Sequence, residues 1–106
     1  VQGMGWLTTE QLVWNDKGTL ATHAPSTYKI PTAGDVPEHF KIDLWPEPNR
    51  EDNVFGSKAV GEPPFMLGIS VYEALRDAVA RARGDGSAVQ LTAPATAENV
   101  LKALGD

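Results

Sequence analysis

The 106-residue chain contains no cysteine. That excludes disulfides, thiolate nucleophiles, iron–sulfur ligation and cysteine-based zinc sites within it, and it suits a reducing, cytoplasmic setting. A basic cluster is missing too. Nine Lys and Arg stand against fourteen Asp and Glu, a formal net charge of −5, and nucleic-acid binding needs cations gathered in a patch. The densest positive group, Arg76, Arg81 and Arg83, is interleaved with Glu73, Asp77 and Asp85 and reads as a solvated helix face. No apolar run approaches the roughly 20 residues of a membrane span, and no signal-peptide pattern opens the chain. The two histidines, His23 and His39, lie far apart and read as loop residues rather than as a zinc site. Neither nucleic acid nor membrane is therefore an expected partner.

Punctuation, by contrast, is plentiful. Ten Gly and eight Pro in so short a chain predict short elements and much loop. Val1, Met4 and Leu7 share one face of an opening helix. Gly3 and Gly5 weaken that helix, and equally suit the close approach of another backbone or a ligand. Gln11 to Trp14, the turn signal Asn15-Asp16-Lys17-Gly18 and Thr19 to His23 predict a short hairpin. Pro25, Pro31, Pro37 and Gly34 make residues 24–37 a loop. Phe40, Ile42 and Leu44 alternate with Lys41 and Asp43, the pattern of a half-buried strand, which Pro46 and Pro48 end. The acidic stretch Glu47 to Asp52 reads as a solvated loop tip.

The longest helical pattern covers about residues 64–83. Phe65, Met66, Leu67 and Ile69 make its start apolar on most sides, which implies burial all round. Val71, Tyr72, Leu75, Ala78, Val79 and Ala82 continue as one stripe, and Gly84 suits a C-terminal cap. In a final short helix, Thr96 is the expected N-cap, Val100, Leu101 and Leu104 the buried stripe, and Gly105 the stop. A hairpin, a strand and two helices in this order predict an α+β fold.

One carboxylate stands apart. Glu62 lies between Gly61 and Pro63, just ahead of an apolar helix. A charge in such a place is costly unless it is paired or used. Glu62 serves either as a cap or ion-pair partner, of its own helix or of Lys58, or as a general base held anionic by the helix N-terminus.

Three blocks around it carry a resemblance. Ser57-Lys58-Ala59-Val60-Gly61-Glu62-Pro63-Pro64, Val1-Gln2-Gly3-Met4-Gly5 and Ala24-Pro25-Ser26-Thr27-Tyr28-Lys29-Ile30-Pro31 resemble, in order and spacing, the C-terminal region of the molybdenum-binding subunit of xanthine dehydrogenases and xanthine oxidases. The closing Leu91-Thr92-Ala93-Pro94-Ala95-Thr96 is similar to the end of a bacterial-type subunit. The resemblance implies that residues 1–106 are a C-terminal fragment of a larger molybdenum cofactor-binding domain, incomplete as a functional unit.

It further implies oxidation of hypoxanthine and xanthine to urate. Glu62 would be the catalytic base that takes a proton from the hydroxyl on molybdenum, and Lys58, Ala59, Val60 and Gly61 the loop near the cofactor. Electrons would leave through 2Fe–2S clusters to FAD and NAD on other domains or subunits. No metal ligand is expected here, because molybdenum–molybdopterin belongs to the full enzyme. The implied partners are the remainder of the molybdenum-binding subunit, an iron–sulfur/FAD subunit, the purine substrate and further copies in an oligomer. The isolated chain is expected to be inactive and without cofactor. An aldehyde oxidoreductase of the same superfamily is the nearest alternative. A non-catalytic α+β interaction module is another.

Overall fold

The computed structural model describes residues 1–58 and 62–105, apart from the side chains of Glu62 and Pro64. Among the described residues four α-helices follow one another: α1 (Gln2–Thr8), α2 (Glu62–Leu67), α3 (Ile69–Arg83) and α4 (Ala97–Leu104). Between α1 and α2 runs a long connection holding two 3-10 turns, Ala33–Asp35 and Val54–Gly56.

The core is small and sits where α3, α4 and the segment joining them meet. Val79, Leu91, Ala95 and Ala103 are buried, with Tyr72, Leu75, Val89 and Val100 packed against them. Burying a Val or Leu side chain contributes about 1.5–3 kcal/mol, so this cluster anchors the C-terminal half. Polar contacts close it. The Tyr72 hydroxyl donates to the Leu91 carbonyl, and Asn99 Nδ2 donates to the Pro94 carbonyl at 2.9 Å. The Ala95 N–H reaches the Leu7 carbonyl at 2.7 Å, which ties α1 to the same cluster.

Local chemistry explains most helix ends. Thr96 Oγ1 accepts from the Asn99 N–H and so caps α4, satisfying a donor that the helix leaves free. Gly84 and Gly105 end α3 and α4 in the left-handed conformation. On the outer face of α3, Arg76 pairs with Glu73, Arg81 with Asp77 and Arg83 with Asp85. That is the solvated charge face expected from the sequence. The expected hairpin is present in reduced form: an isolated antiparallel bridge joins Trp14 and Leu20. Asn15 Oδ1 accepts from the Lys17 and Thr19 N–H groups and organises the turn between them.

Four expectations need correction. Residues 40–44 form no strand, and Phe40, Ile42 and Leu44 are 48%, 72% and 93% exposed. Period-two alternation marks a strand only where a neighbouring strand can take its backbone hydrogen bonds, and among the described residues none does. The architecture described is therefore mostly helical with a single bridge, not α+β. Second, the helix expected over about 64–83 is two helices, broken at Gly68. Ser70 Oγ donates to the Leu67 carbonyl at 2.7 Å at the break, and glycine is a poor helix former.

Third, Phe65, Met66, Leu67 and Ile69 are exposed rather than covered all round, because α1 packs against only one side of α2. Last, the buried positions of α3 narrow to Val79, with Tyr72 and Leu75 half-buried against the core and Ala78 and Ala82 exposed. On α4, Ala103 and Val100 face the core, while Leu101 and Leu104 are 52% and 38% exposed. The short core helix presents one narrow stripe, and the smaller side chain takes the tightest place in it.

The chain is also less compact than its length allows. Its radius of gyration is 17.7 Å, against about 13 Å for a compact domain of this size. Residues 40–55 project with Trp45, Val54 and Phe55 exposed.

Candidate functional site

Glu62 is the first residue of α2, with Pro63 and Pro64 in the first turn, as their fixed φ favours. Those prolines lack N–H groups, so after Glu62 itself the first backbone donor of α2 is that of Phe65. A capping side chain accepts from N–H groups at the second or third helical position, and here both positions are proline. Own-helix capping, one of the three roles open to Glu62 in the sequence, therefore has almost nothing to bond. The same missing donors, and the shortness of α2, reduce the anion-stabilising field that a long helix would supply.

Leading to Glu62 is a knitted loop. Asn49 Nδ2 and Asn53 Nδ2 both donate to the Ser57 carbonyl, at 2.8 and 3.2 Å. The Gly56 N–H reaches the Asn53 carbonyl, and the Ser57 N–H that of Val54. Phe55 takes a positive φ of 55°. Lys58 Nζ donates to the Glu47 carbonyl at 3.1 Å, so the acidic loop and the start of the proposed cofactor loop are one hydrogen-bonded unit. Ala59, Val60 and Gly61 lie outside the described residues, as does the side chain of Glu62.

Behind α2 lies α1. The rings of Trp6 and Phe65 stand 5.7 Å apart, tilted by 57°, an arrangement aromatic pairs favour. Gly3 and Gly68 meet backbone to backbone: a Cβ on Gly68 would lie 3.1 Å from the Cα and carbonyl oxygen of Gly3. Gly5 is more crowded still, since a Cβ there would lie 2.5 Å from Cδ of Pro31. The close backbone approach that the two early glycines suggested is found at Gly3, whereas Gly5 makes room for side chains.

The loop carrying Pro31 is pinned to α1 by polar contacts as well. The Tyr28 hydroxyl donates to Glu10 Oε2, and Thr9 Oγ1 donates to the Lys29 carbonyl at 2.7 Å. Glu10 is a buried carboxylate. Its hydrogen bond pushes the Tyr28 phenol above its ordinary value, with burial and the carboxylate charge adding to the rise. Sequence reasoning missed this pair. Tyr28 lies within a recognised block, but Glu10 belongs to no pattern, and only the folded chain reveals its burial.

Around α1, which holds residues 2–5 of the first block, the loop of residues 24–31 braces one side and the helix headed by Glu62 packs on the other through Phe65. Val1, Gln2, Gly3, Met4, Leu67, Gly68, Ser70 and Val71 line a shallow groove of about 280 Å³ at that junction. Among the described residues no three His, Asp or Glu side chains gather as a metal site. His23 Nδ1 instead faces the Leu20 carbonyl at 3.0 Å. The groove carries no charged side chain and offers the Gln2 amide and small residues. This suits one wall against a polar heterocycle, not a metal ligand set or a complete pocket, which for a ligand of that size runs to roughly 300–1,000 Å³.

Residues 1–37 match the family described as molybdopterin cofactor-binding domain. The chain is 42% identical over 112 residues to the xanthine dehydrogenase/oxidase of Mus musculus, with all of the chain covered. It is 44% identical over 103 residues, 94% of the chain, to the xanthine dehydrogenase of Dictyostelium discoideum. To aldehyde oxidase 2 of Macaca fascicularis it is 40% identical over 109 residues, again across the whole chain. In each case the chain spans 8% of the relative's length.

Proposed function

We propose that this chain, a segment of the molybdopterin-binding region of the xanthine dehydrogenase family, supplies Glu62 in the whole protein as the general base of a molybdenum hydroxylase. The observation that supports this reading is the packing of the 24–31 loop and of the helix headed by Glu62 against α1. A base must be ionised at rest and within hydrogen-bond reach of the proton it takes. The two prolines after Glu62 offer a capping carboxylate no N–H groups, which favours the base over the cap. The knitted loop 47–58 fixes the approach to residues 58–61, which would present Glu62 toward the cofactor.

When bound, molybdopterin with its metal supplies the oxygen-transfer and two-electron redox chemistry. The groove beside Gly3 and Gly68 would contribute one wall to that cofactor through Gln2 and neighbouring backbone. Glu62 would accept the proton on a carboxylate oxygen, and the remaining walls, the 2Fe–2S clusters and FAD belong to other parts of the protein. The substrate under this reading is a purine, hypoxanthine or xanthine, oxidised to urate. Taken alone, the chain would neither turn over substrate nor retain cofactor.

The test is Glu62→Ala in the intact enzyme. Turnover should be lost while molybdenum content stays near normal. Substantial turnover in that variant removes Glu62 as the base. An aldehyde substrate is the second reading, favoured by the equal identity to aldehyde oxidase 2 (40–41%) over the same span. Relative kcat/KM for xanthine and for an aromatic aldehyde decides between them.

A further inference from the structure

Glu10 is the buried acidic side chain that the proposed reaction leaves without a task. It is only 8% exposed, and among the described residues no cation pairs with it; Lys29, its nearest candidate in the loop, donates to the Ser26 carbonyl instead. A carboxylate taken from water is costly without strong hydrogen bonds, and the Tyr28 hydroxyl provides one, of the charge-assisted class. The location is specific. Glu10 Oε1 and the Pro31 ring together occupy the space over Gly5 where a side chain would stand, so the carboxylate is wedged between α1 and the proline loop. On its far side α1 bears Trp6 against Phe65 and Gly3 against Gly68, the contacts that hold the C-terminal half of α2 and the residue after it.

We infer that Glu10 and Tyr28 are positioning residues whose hydrogen bond sets the pose of α1, and through Trp6 and Gly3 the pose of the helix that begins at Glu62. The inference rests on Glu62 as the proposed base for its kinetic consequence, but not for its structural one. Without the Tyr28 hydroxyl, Glu10 is left with an unsatisfied buried oxygen. It relieves that cost by moving toward water, which opens the wedge over Gly5 and lets α1 shift on Pro31. The Trp6–Phe65 contact then no longer fixes α2. A displacement of about 1 Å at a reacting group can cost up to ~100-fold in rate, so a fraction of that loosening is measurable.

The experiment uses the full-length enzyme with three variants: Tyr28→Phe, Glu10→Ala and Glu10→Gln, the last retaining an oxygen that accepts from Tyr28. Hydrogen exchange at the α2 amides of Phe65, Met66 and Leu67 is compared with exchange at Val79 and Ala103 in the core. Tyr28→Phe and Glu10→Ala should speed α2 exchange without changing the core amides, while Glu10→Gln should stay close to the parent. In turnover, the first two should lower kcat about tenfold with little change in KM and normal molybdenum content, and the double variant Tyr28→Phe/Glu10→Ala should be no worse than the poorer single. Unchanged α2 exchange in Tyr28→Phe overturns the inference, as does a loss of protection spread equally over core and α2. If α2 loosens as expected but Glu62→Ala still turns over, the positioning stands and the assignment of the base falls.

Discussion

Gly68 rests on the backbone of Gly3: a Cβ at position 68 would stand 3.1 Å from both the Cα and the carbonyl oxygen of Gly3. This contact lies where the long apolar helix pattern breaks into α2 and α3, so it sets both the break and the place of α1 over it. Backbone atoms on the far side cannot swing away as a flexible side chain can.

Gly68→Ala should consequently destabilise the protein. Ordinary helix propensity would favour alanine by about 1 kcal/mol, because Gly68 already has a helical φ of −55°. Overpacking against fixed neighbours costs about 1–3 kcal/mol and outweighs it. Denaturant midpoints of the parent and variant check the sign; a variant more stable than the parent contradicts the close contact.

Tyr28 predicts an alkaline limit. Its folded-state pKa is raised above the ordinary 10.0, chiefly by the hydrogen bond to Glu10. The stability it contributes is fully present below about pH 10 and is lost as pH rises through the folded pKa. The stability gap between the parent and Tyr28→Phe should hold steady up to about pH 10 and shrink above it, read from unfolding midpoints.

Asp85 predicts the opposite limb. The Ser87 N–H and hydroxyl, with Arg83, hold its carboxyl down to about 2 from 3.8. Its contribution is present above the ordinary value and fades as pH falls toward about 2. Asp85→Asn should lower the melting temperature slightly at neutral pH, and the difference should disappear in strong acid.

Thr96→Ala should cost about 1 kcal/mol by leaving the Asn99 N–H of α4 without its side-chain acceptor. Because α4 packs into the core through Val100 and Ala103, the loss should appear as a shift of the whole unfolding transition.

On the isolated chain, hydrogen exchange should be fast through residues 40–55 and slow around Val79, Leu91 and Ala103. The first stretch is exposed along nearly its whole length, while the second is the buried cluster. Uniform protection across the monomer would support the independent interaction module instead.

Local features were legible in the sequence because short-range chemistry decides them. The Thr96 cap, the glycine stops at 84 and 105, the turn at Asn15–Gly18 and the charged face of α3 each depend on neighbours within a few residues. Residues 40–44 read as a strand because alternation is local, whereas a strand exists only if a partner accepts its hydrogen bonds. The helix over 64–83 read as continuous because its break depends on Gly3, far away along the chain.

Glu62 was likewise visible as a carboxylate between glycine and proline, and the sequence also contains the reason it cannot cap well: Pro63 and Pro64 lack the N–H groups a cap would bond. By itself the sequence determined the blocks, the helix ends and this candidate base. Tertiary structure decided that residues 1–5, 24–31 and the helix headed by Glu62 meet on one short helix, and that Glu10 and Tyr28 bond beneath it. Burial and close backbone contact arise between segments distant in the chain, and no local pattern encodes them.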